Sequence, residues 1–271
     1  MRHVLASLLL LCPMVGHAAT VLTHVPVQQG SFLDKACLAA VSDDDEYEKN
    51  SCYCVADIAY PQVSGVKNEA VLNAALKAKG LEAGKGFGDG NGPACRGERI
   101  DDKAMPDGGV NDEQFSGAIA FENDALLSIG FSYYSYGAGA AHGNPWSNAL
   151  LFDKKAGRIL SLADMVDVKK IPALNRHIYE ELKQTEDSFL GGLCADEEQN
   201  HSDSFCPAEP EAYVAEKDAL GYLSLSETGL SVVFNVYAVG PYAAGPIEVE
   251  IPEQFIVHPA IKKLYGAPHA G

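Results

Sequence analysis

Apolar and polar positions change period several times along this chain, and each change marks an element. Cys52 to Tyr60, CYCVADIAY, reads as a strand halted at Pro61, with Pro61-Gln62-Val63-Ser64-Gly65 as the break. From Asn68 to Lys79 the spacing becomes helical, with Val71, Leu72, Ala75 and Leu76 on one face, and Gly80 is the expected stop. Gly80 to Gly109, rich in glycine and charge, predicts a long loop pinned in part by Cys95. Strand patterns follow. Gly117 to Glu122 and Ala125 to Tyr136 flank the hairpin turn Asn123-Asp124, and Trp146 to Asp153 leads through Lys154-Lys155-Ala156-Gly157 into Arg158 to Leu162. Ile171 to Lys183 carries Leu174, Ile178 and Leu182 at helical spacing, and a short helix is expected near Glu211 to Leu220. Tyr222 to Leu225, the turn Ser226-Glu227-Thr228-Gly229, the strand Leu230 to Val239, the loop Gly240 to Pro246 and the strand Ile247 to Ile251 complete the series. Hairpins mixed with isolated helices predict an α+β fold, mainly antiparallel sheets with a few packed helices, and not a parallel βαβ array.

The first residues follow a different grammar. Met1-Arg2-His3, the apolar run Val4 to Leu11 and the small-x-small site Gly16-His17-Ala18 form the pattern of a secretory signal peptide over residues 1–18. The apolar run is shorter than the ~20 residues that a spanning helix needs, and no later segment approaches that length. The expected product is a periplasmic or secreted chain without a transmembrane segment. Beyond Cys12 the cysteines number six: Cys37, Cys52, Cys54, Cys95, Cys194 and Cys206. An even number in an exported chain argues for disulfides. Cys52 and Cys54, two apart on a strand, cannot readily join each other. If Cys194 and Cys206 close their local loop, Cys37 and Cys95 each take one of the Cys52/Cys54 pair, which leaves two connectivities. Zinc is the competing reading, but Cys-Tyr-Cys has one residue between thiols where zinc knuckles have two to four, so no metal is assigned.

Charge changes the picture most. Twenty Lys and Arg against 37 Asp and Glu give a formal net charge of −17 over 271 residues, and loss of the leader removes Arg2 and no acid. The basic footprint that a nucleic acid requires is missing, and an anionic cell-wall polymer meets like charge. A cationic protein is the partner that such a field attracts, over about a Debye length of ~8 Å at physiological salt. Catalytic signatures are absent: no G-x-S-x-G, Walker A or H-E-x-x-H occurs, and Gly137-Ala138-Gly139-Ala140-Ala141-His142-Gly143 lacks the dinucleotide spacing. Asp43-Asp44-Asp45-Glu46 with Glu48, and the acids around Asp196, lack a calcium-loop frame and read as solvated faces. No catalytic residue and no cofactor is expected. The more informative pattern is aromatic. Tyr136 leads into the Gly-Ala loop with His142, and Pro241-Tyr242-Ala243-Ala244-Gly245-Pro246 is a proline-bracketed turn that presents a tyrosine. Rigid aromatics on pre-shaped loops bring contact area at low entropy cost.

Several of these segments also carry a resemblance. Leu127-Ser128-Ile129, Tyr136 with Gly139 to Gly143, Phe152-Asp153 with Gly157-Arg158-Ile159-Leu160, Leu162-Ala163-Asp164-Met165, Leu225 to Leu230 and Tyr237 to Pro246 occur in the order found in the extracellular domain of RsiV-type anti-sigma factors. That domain also stands beside some peptidoglycan deacetylases. Ile58 to Gly65 and the helix around Asn73 resemble its N-terminal companion region. The resemblance implies a companion region over 19–112, an RsiV-like domain over 113–271, a fold without catalytic machinery and the capture of lysozyme. It places Tyr136, His142, Pro241 and Tyr242 on the contact loops. The cytoplasmic sigma-binding segment and membrane helix of those factors have no counterpart here, and the six cysteines are additional. A peptidoglycan-binding role in the cell envelope is the alternative that the family's neighbours suggest.

Overall fold

The computed structural model describes residues 20–42, 44–85, 95–192, 210, 212–215, 217 and 219–266. The described residues form an α+β fold with a seven-stranded sheet, a three-stranded sheet and six α-helices. The strands in chain order are β1 (Val21–Leu33), β2 (Tyr53–Ser64), β3 (Glu98–Ile100), β4 (Asn111–Glu122), β5 (Leu126–Tyr136), β6 (Asn144–Asp153), β7 (Arg158–Ile159), β8 (Gly221–Leu225), β9 (Leu230–Phe234) and β10 (Ile247–Glu250). The helices are α1 (Lys35–Ala40), α2 (Glu46–Asn50), α3 (Glu69–Ala83), α4 (Leu162–Met165), α5 (Ile171–Gln184) and α6 (Pro259–Tyr265). The large sheet runs β3-β1-β2-β4-β5-β6-β7 and the small one β10-β9-β8. Every pairing is antiparallel except β2 with β4, which are joined through α3 and β3.

The sheet has a different core on each face. On one side Leu72, Leu76 and Ala83 of α3 pack on Ile58, Phe115, Ile129, Phe131 and Tyr133. On the other, Leu126 and Leu151 meet the small sheet and the apolar stripes of α5 and α6, Leu174, Ile178, Leu182, Ile261 and Leu264. All five residues of β9 are buried, so this short strand is the centre of the second core. Each Leu, Ile or Val buried in these layers contributes roughly 1.5–3 kcal/mol of transfer free energy. Three asparagines link the layers in one way, each pairing its amide with the N–H and C=O of a single backbone residue. Asn73 holds Val63 at 2.8 and 2.8 Å, Asn175 holds Val214 at 2.9 and 3.3 Å, and Asn235 holds Ser147 at 2.7 and 3.0 Å.

Several boundaries differ from the pattern in the sequence. Gly80 does not stop its helix; α3 continues to Ala83, and Gly80 is buried because a Cβ there would lie 2.5 Å from Tyr60 Cβ. Close approach of a helix to a sheet thus explains a glycine that otherwise reads as punctuation. Pro61 does not end β2, which runs on to Ser64. Pairing with β4 ends at Ile58, so Pro61 stands where β1 alone flanks the strand and a missing N–H is tolerated. Residues 80–109 are not one loop, since β3 pairs with β1. The strand expected to run from Leu230 to Val239 stops at Phe234, and residues 212–215 form no helix but bury Tyr213 and Val214. Arg158 to Leu162 is a two-residue strand followed by α4. The strand β1 and helices α1, α2 and α6 have no counterpart in the sequence expectations.

Two disulfides join Cys37 to Cys52 and Cys54 to Cys95, each with Cα atoms 5.5 Å apart. This selects one of the two connectivities left open above. Cys194 and Cys206 lie outside the described residues. Among the described residues no helix is long and apolar enough to cross a membrane, and no group of three or more His, Cys, Asp or Glu could hold a metal ion.

Candidate functional site

The loop between β5 and β6, residues 137–143, is shaped by what covers it. Gly139 has φ +72°, and any side chain there would overlap the ring of Tyr47 on α2. Gly143 is likewise covered by the ring of Tyr134. Ala138 is buried and its N–H donates to Asn111 Oδ1 at 2.9 Å, while Ala140 N–H closes a turn on the Gly137 carbonyl at 2.9 Å. Small residues are needed here because two aromatic rings lie against the backbone. His142 projects from this base. Its Nδ1 is 2.9 Å from the Gly143 carbonyl, which can only accept, so Nδ1 carries a proton. The Tyr237 hydroxyl lies within hydrogen-bond distance of Nε2, at 3.2 Å.

Tyr237 comes from the opposite sheet. After β9 the chain turns at Asn235, whose amide clamps Ser147 of β6, and Ala238 N–H bonds the Asn235 carbonyl at 3.0 Å. Within that turn Tyr237 adopts φ +67°, a left-handed conformation that costs a β-carbon residue roughly 1–2 kcal/mol. The residue is 52% exposed, so burial does not repay the strain. Pro241, at φ −68°, then starts the 3-10 turn Tyr242–Ala244, which ends on Gly245 at φ +71°. Tyr242 stacks on His142 with ring centroids 3.9 Å apart and planes 23° from parallel, and Tyr237 lies 5.7 Å from Tyr242. The three rings form one patch across the seam between the two sheets.

Of the four residues expected on contact loops, His142 and Tyr242 meet directly and Pro241 shapes the turn beneath them. Tyr136 stands apart: it ends β5, its hydroxyl would be 3.2 Å from a Cβ on Gly109, and it shares no ring contact with the patch. Three further positions of this arrangement were not among the expected contact residues. Tyr237 belongs to the patch, while Asn235 and Asn111 hold its two loops. Asn235 left a trace, a lone amide at the end of the apolar run Leu230 to Phe234. The backbone sign at Tyr237 left none.

Charge surrounds this end of the sheet unevenly. Glu113 faces Ser135 across the β4–β5 pairing, and its carboxyl is pushed up to about 7 by burial first and then by the neighbouring charge of Asp112. One oxygen of each of these acids is buried without a hydrogen-bond partner among the described residues. At the opposite end a cleft of about 710 Å³ contains Asp153 and His258, whose Nε2 is 3.4 Å from Asp153 Oδ2. Among the described residues its lining side chains include no Ser, Thr or Cys.

Comparison with known proteins agrees with the fold and extends to part of the patch. Residues 163–254 match the family described as "Protein of unknown function (DUF3298)", a span that takes in Tyr237, Pro241 and Tyr242 but not His142. No curated protein matches the chain in sequence. A member of the same family from Bacteroides fragilis is similar in structure, with a TM-score of 0.54 and 20% identity over 93% of this chain and 99% of that one. A DUF3298 family protein from Pseudomonas aeruginosa has a TM-score of 0.53 and 15% identity over 90% of this chain and 97% of that one. The chain is thus similar to DUF3298 proteins over nearly its whole fold, and in sequence over about a third of its length.

Proposed function

We propose that this protein is an exported, non-catalytic binding protein that captures a strongly basic protein, a lysozyme-type muramidase being the best fit. The observation that carries the reading is the His142, Tyr237 and Tyr242 patch: two exposed side chains and the half-buried Tyr242 between them, held on two braced loops, with Tyr237 in a strained backbone conformation. Strain held at an exposed aromatic is characteristic of pre-organised contact surfaces. The net charge of −17 supplies attraction to a cationic partner, and disulfides accord with an oxidising, extracytoplasmic compartment. The resemblance to RsiV-type domains points to the same partner. Titrating the purified chain with lysozyme at low and high salt tests the reading. Binding that weakens steeply with salt, and that is lost in His142→Ala/Tyr242→Ala, is expected. No binding at low ionic strength would remove it.

The stack of His142 on Tyr242 also offers a flat face on which a sugar ring can rest, so capture of cell-wall glycan is the second reading. Co-sedimentation with purified peptidoglycan separates the two: a glycan binder sediments with it, whereas the acidic surface is expected to keep this chain in the supernatant.

A further inference from the structure

The cleft at the other end of the sheet from the ring patch, about 710 Å³, has room for a small molecule. Three parts of the chain wall it: the β4–β5 hairpin turn, the β6–β7 turn, and α6 with His258 before it. The fold itself uses the acceptors of Asn123 and Asp153. Asn123 Oδ1 accepts from Ala125 and Leu126 N–H, and Asp153 Oδ1 accepts from Lys155 and Ala156 N–H, all at 2.8 Å. Asp153 Oδ2 faces His258 Nε2 at 3.4 Å, and because a carboxylate only accepts, Nε2 carries a hydrogen.

The groups left unused have a chemistry of their own. His258 is only 8% exposed, yet its Nδ1 is buried with no hydrogen-bond partner among the described residues. A buried polar atom in that state is uncommon in a folded protein and calls for a partner. The ammonium groups of Lys155 and Lys263 and the side-chain amide nitrogen of Asn123 also line the cleft and make no hydrogen bond or ion pair among the described residues. Against these donors stands one carboxylate equally free, that of the exposed Asp124. Unpaired cations thus gather at one cleft of a chain whose net charge is −17. Pro259, Ala260 and Leu264 give the same cleft an apolar wall.

We propose that this cleft is a second binding site, for a hydroxylated organic acid of sugar size: Lys155, Lys263 and Asn123 take its carboxylate, His258 Nδ1 takes a hydroxyl, and the apolar wall takes its C–H face. Ammonium and amide donors match a carboxylate, which only accepts. A hydroxyl both donates and accepts, so it satisfies Nδ1 whether or not that nitrogen carries a proton, and a further hydroxyl suits Asp124 as donor. The site stands at a distance from the ring patch and does not depend on the capture of a basic protein.

The test is an NMR titration of the disulfide-intact full mature chain with D-glucuronate as probe, beside D-glucose, which lacks the carboxylate, and acetate, which lacks the hydroxyls. Saturable shifts at the backbone amides of residues 123–125, 153–156 and 260–264 and at the His258 ring nitrogens are expected. The expected Kd is on the order of 1 mM, with glucose and acetate each about tenfold weaker. Lys155→Met/Lys263→Met changes two exposed side chains and should bind D-glucuronate about tenfold less tightly, with an unchanged melting temperature. No saturable shift in the cleft, acetate or glucose binding as tightly as D-glucuronate, or undiminished binding by the lysine variant would overturn the inference. Lysozyme binding is read separately and stands or falls without it.

Discussion

Two tyrosines at opposite ends of the small sheet show how differently one residue type can be used. Tyr265, in the last turn of α6, sends its hydroxyl under the β8–β9 turn, where it accepts from Leu230 N–H at 3.0 Å and donates to the Ile251 carbonyl at 2.6 Å. Its ring fills the space beside Gly229, and burial pushes its pKa up to about 12. Tyr237, beyond the other end of β9, has a strained backbone, an exposed ring and a hydroxyl on His142. At the first end the tyrosine hydroxyl serves the fold. At the second, aromatic surface is held in place at a conformational cost that the fold itself does not recover, which is the physical reason for assigning function there.

The largest difference between the ends should appear when the covalent support is cut. Near the patch, Cys54 and Cys95 belong to a small apolar cluster with Ala56 and Phe32, whereas the second core extends over many side chains of the small sheet, α5 and α6. Their disulfide spans a sequence separation of 41, and Cys54→Ser/Cys95→Ser should cost about 4 kcal/mol in urea unfolding. Tyr265→Phe comes next: it leaves Leu230 N–H and the Ile251 carbonyl without this partner, and should cost about 1–3 kcal/mol while lysozyme binding, measured by calorimetry, is unchanged. Loss of binding in that variant would break the comparison.

Tyr237→Gly and Tyr237→Ala sharpen it. Both should lose binding, yet the glycine variant should be about 1 kcal/mol more stable than the alanine variant in thermal melts, because only glycine adopts φ +67° without steric cost. The smallest effect is a pH dependence. Glu113 has its folded pKa raised from 4.5 to about 7, so the folded state holds a proton that the unfolded state has released, and stability falls as pH rises through that window. Glu113→Gln should flatten that slope, with a gain of about 1 kcal/mol above pH 7, limited because part of the carboxyl reaches water. A melt series from pH 4 to pH 8 reads it directly.

How far these features are legible in the sequence depends on whether the cause is local. The Asn123-Asp124 hairpin is legible because Asn123 Oδ1 itself accepts from Ala125 and Leu126 N–H, both at 2.8 Å. The α5 stripe is legible because burial follows the helical period, and Pro172 sits in the first turn where its missing N–H is harmless. The strand β1 is not, since Pro26, Gly30 and many half-exposed polar positions blur its alternation and its pairing with β2 shifts at Pro26. Gly80 misleads because a packing glycine and a stop glycine look alike without the neighbouring Tyr60. The candidate site divides in the same way. Proline and glycine around Tyr242 mark a shaped turn, and the resemblance marks His142. The union of these loops with Tyr237 and α2 depends on Asn235 and Asn111, whose partners lie 88 and 60 residues away.

The central claim is that the ring patch binds a basic protein and that acidity brings that protein to it. Isothermal titration of lysozyme into the mature chain, at low and at physiological salt, with wild type and Tyr237→Gly side by side, tests it most directly. Salt-weakened binding by the wild type together with loss of binding by a Tyr237→Gly variant that melts no lower than wild type is the predicted result. Equal binding by both proteins, or none by the wild type at low salt, would contradict the account.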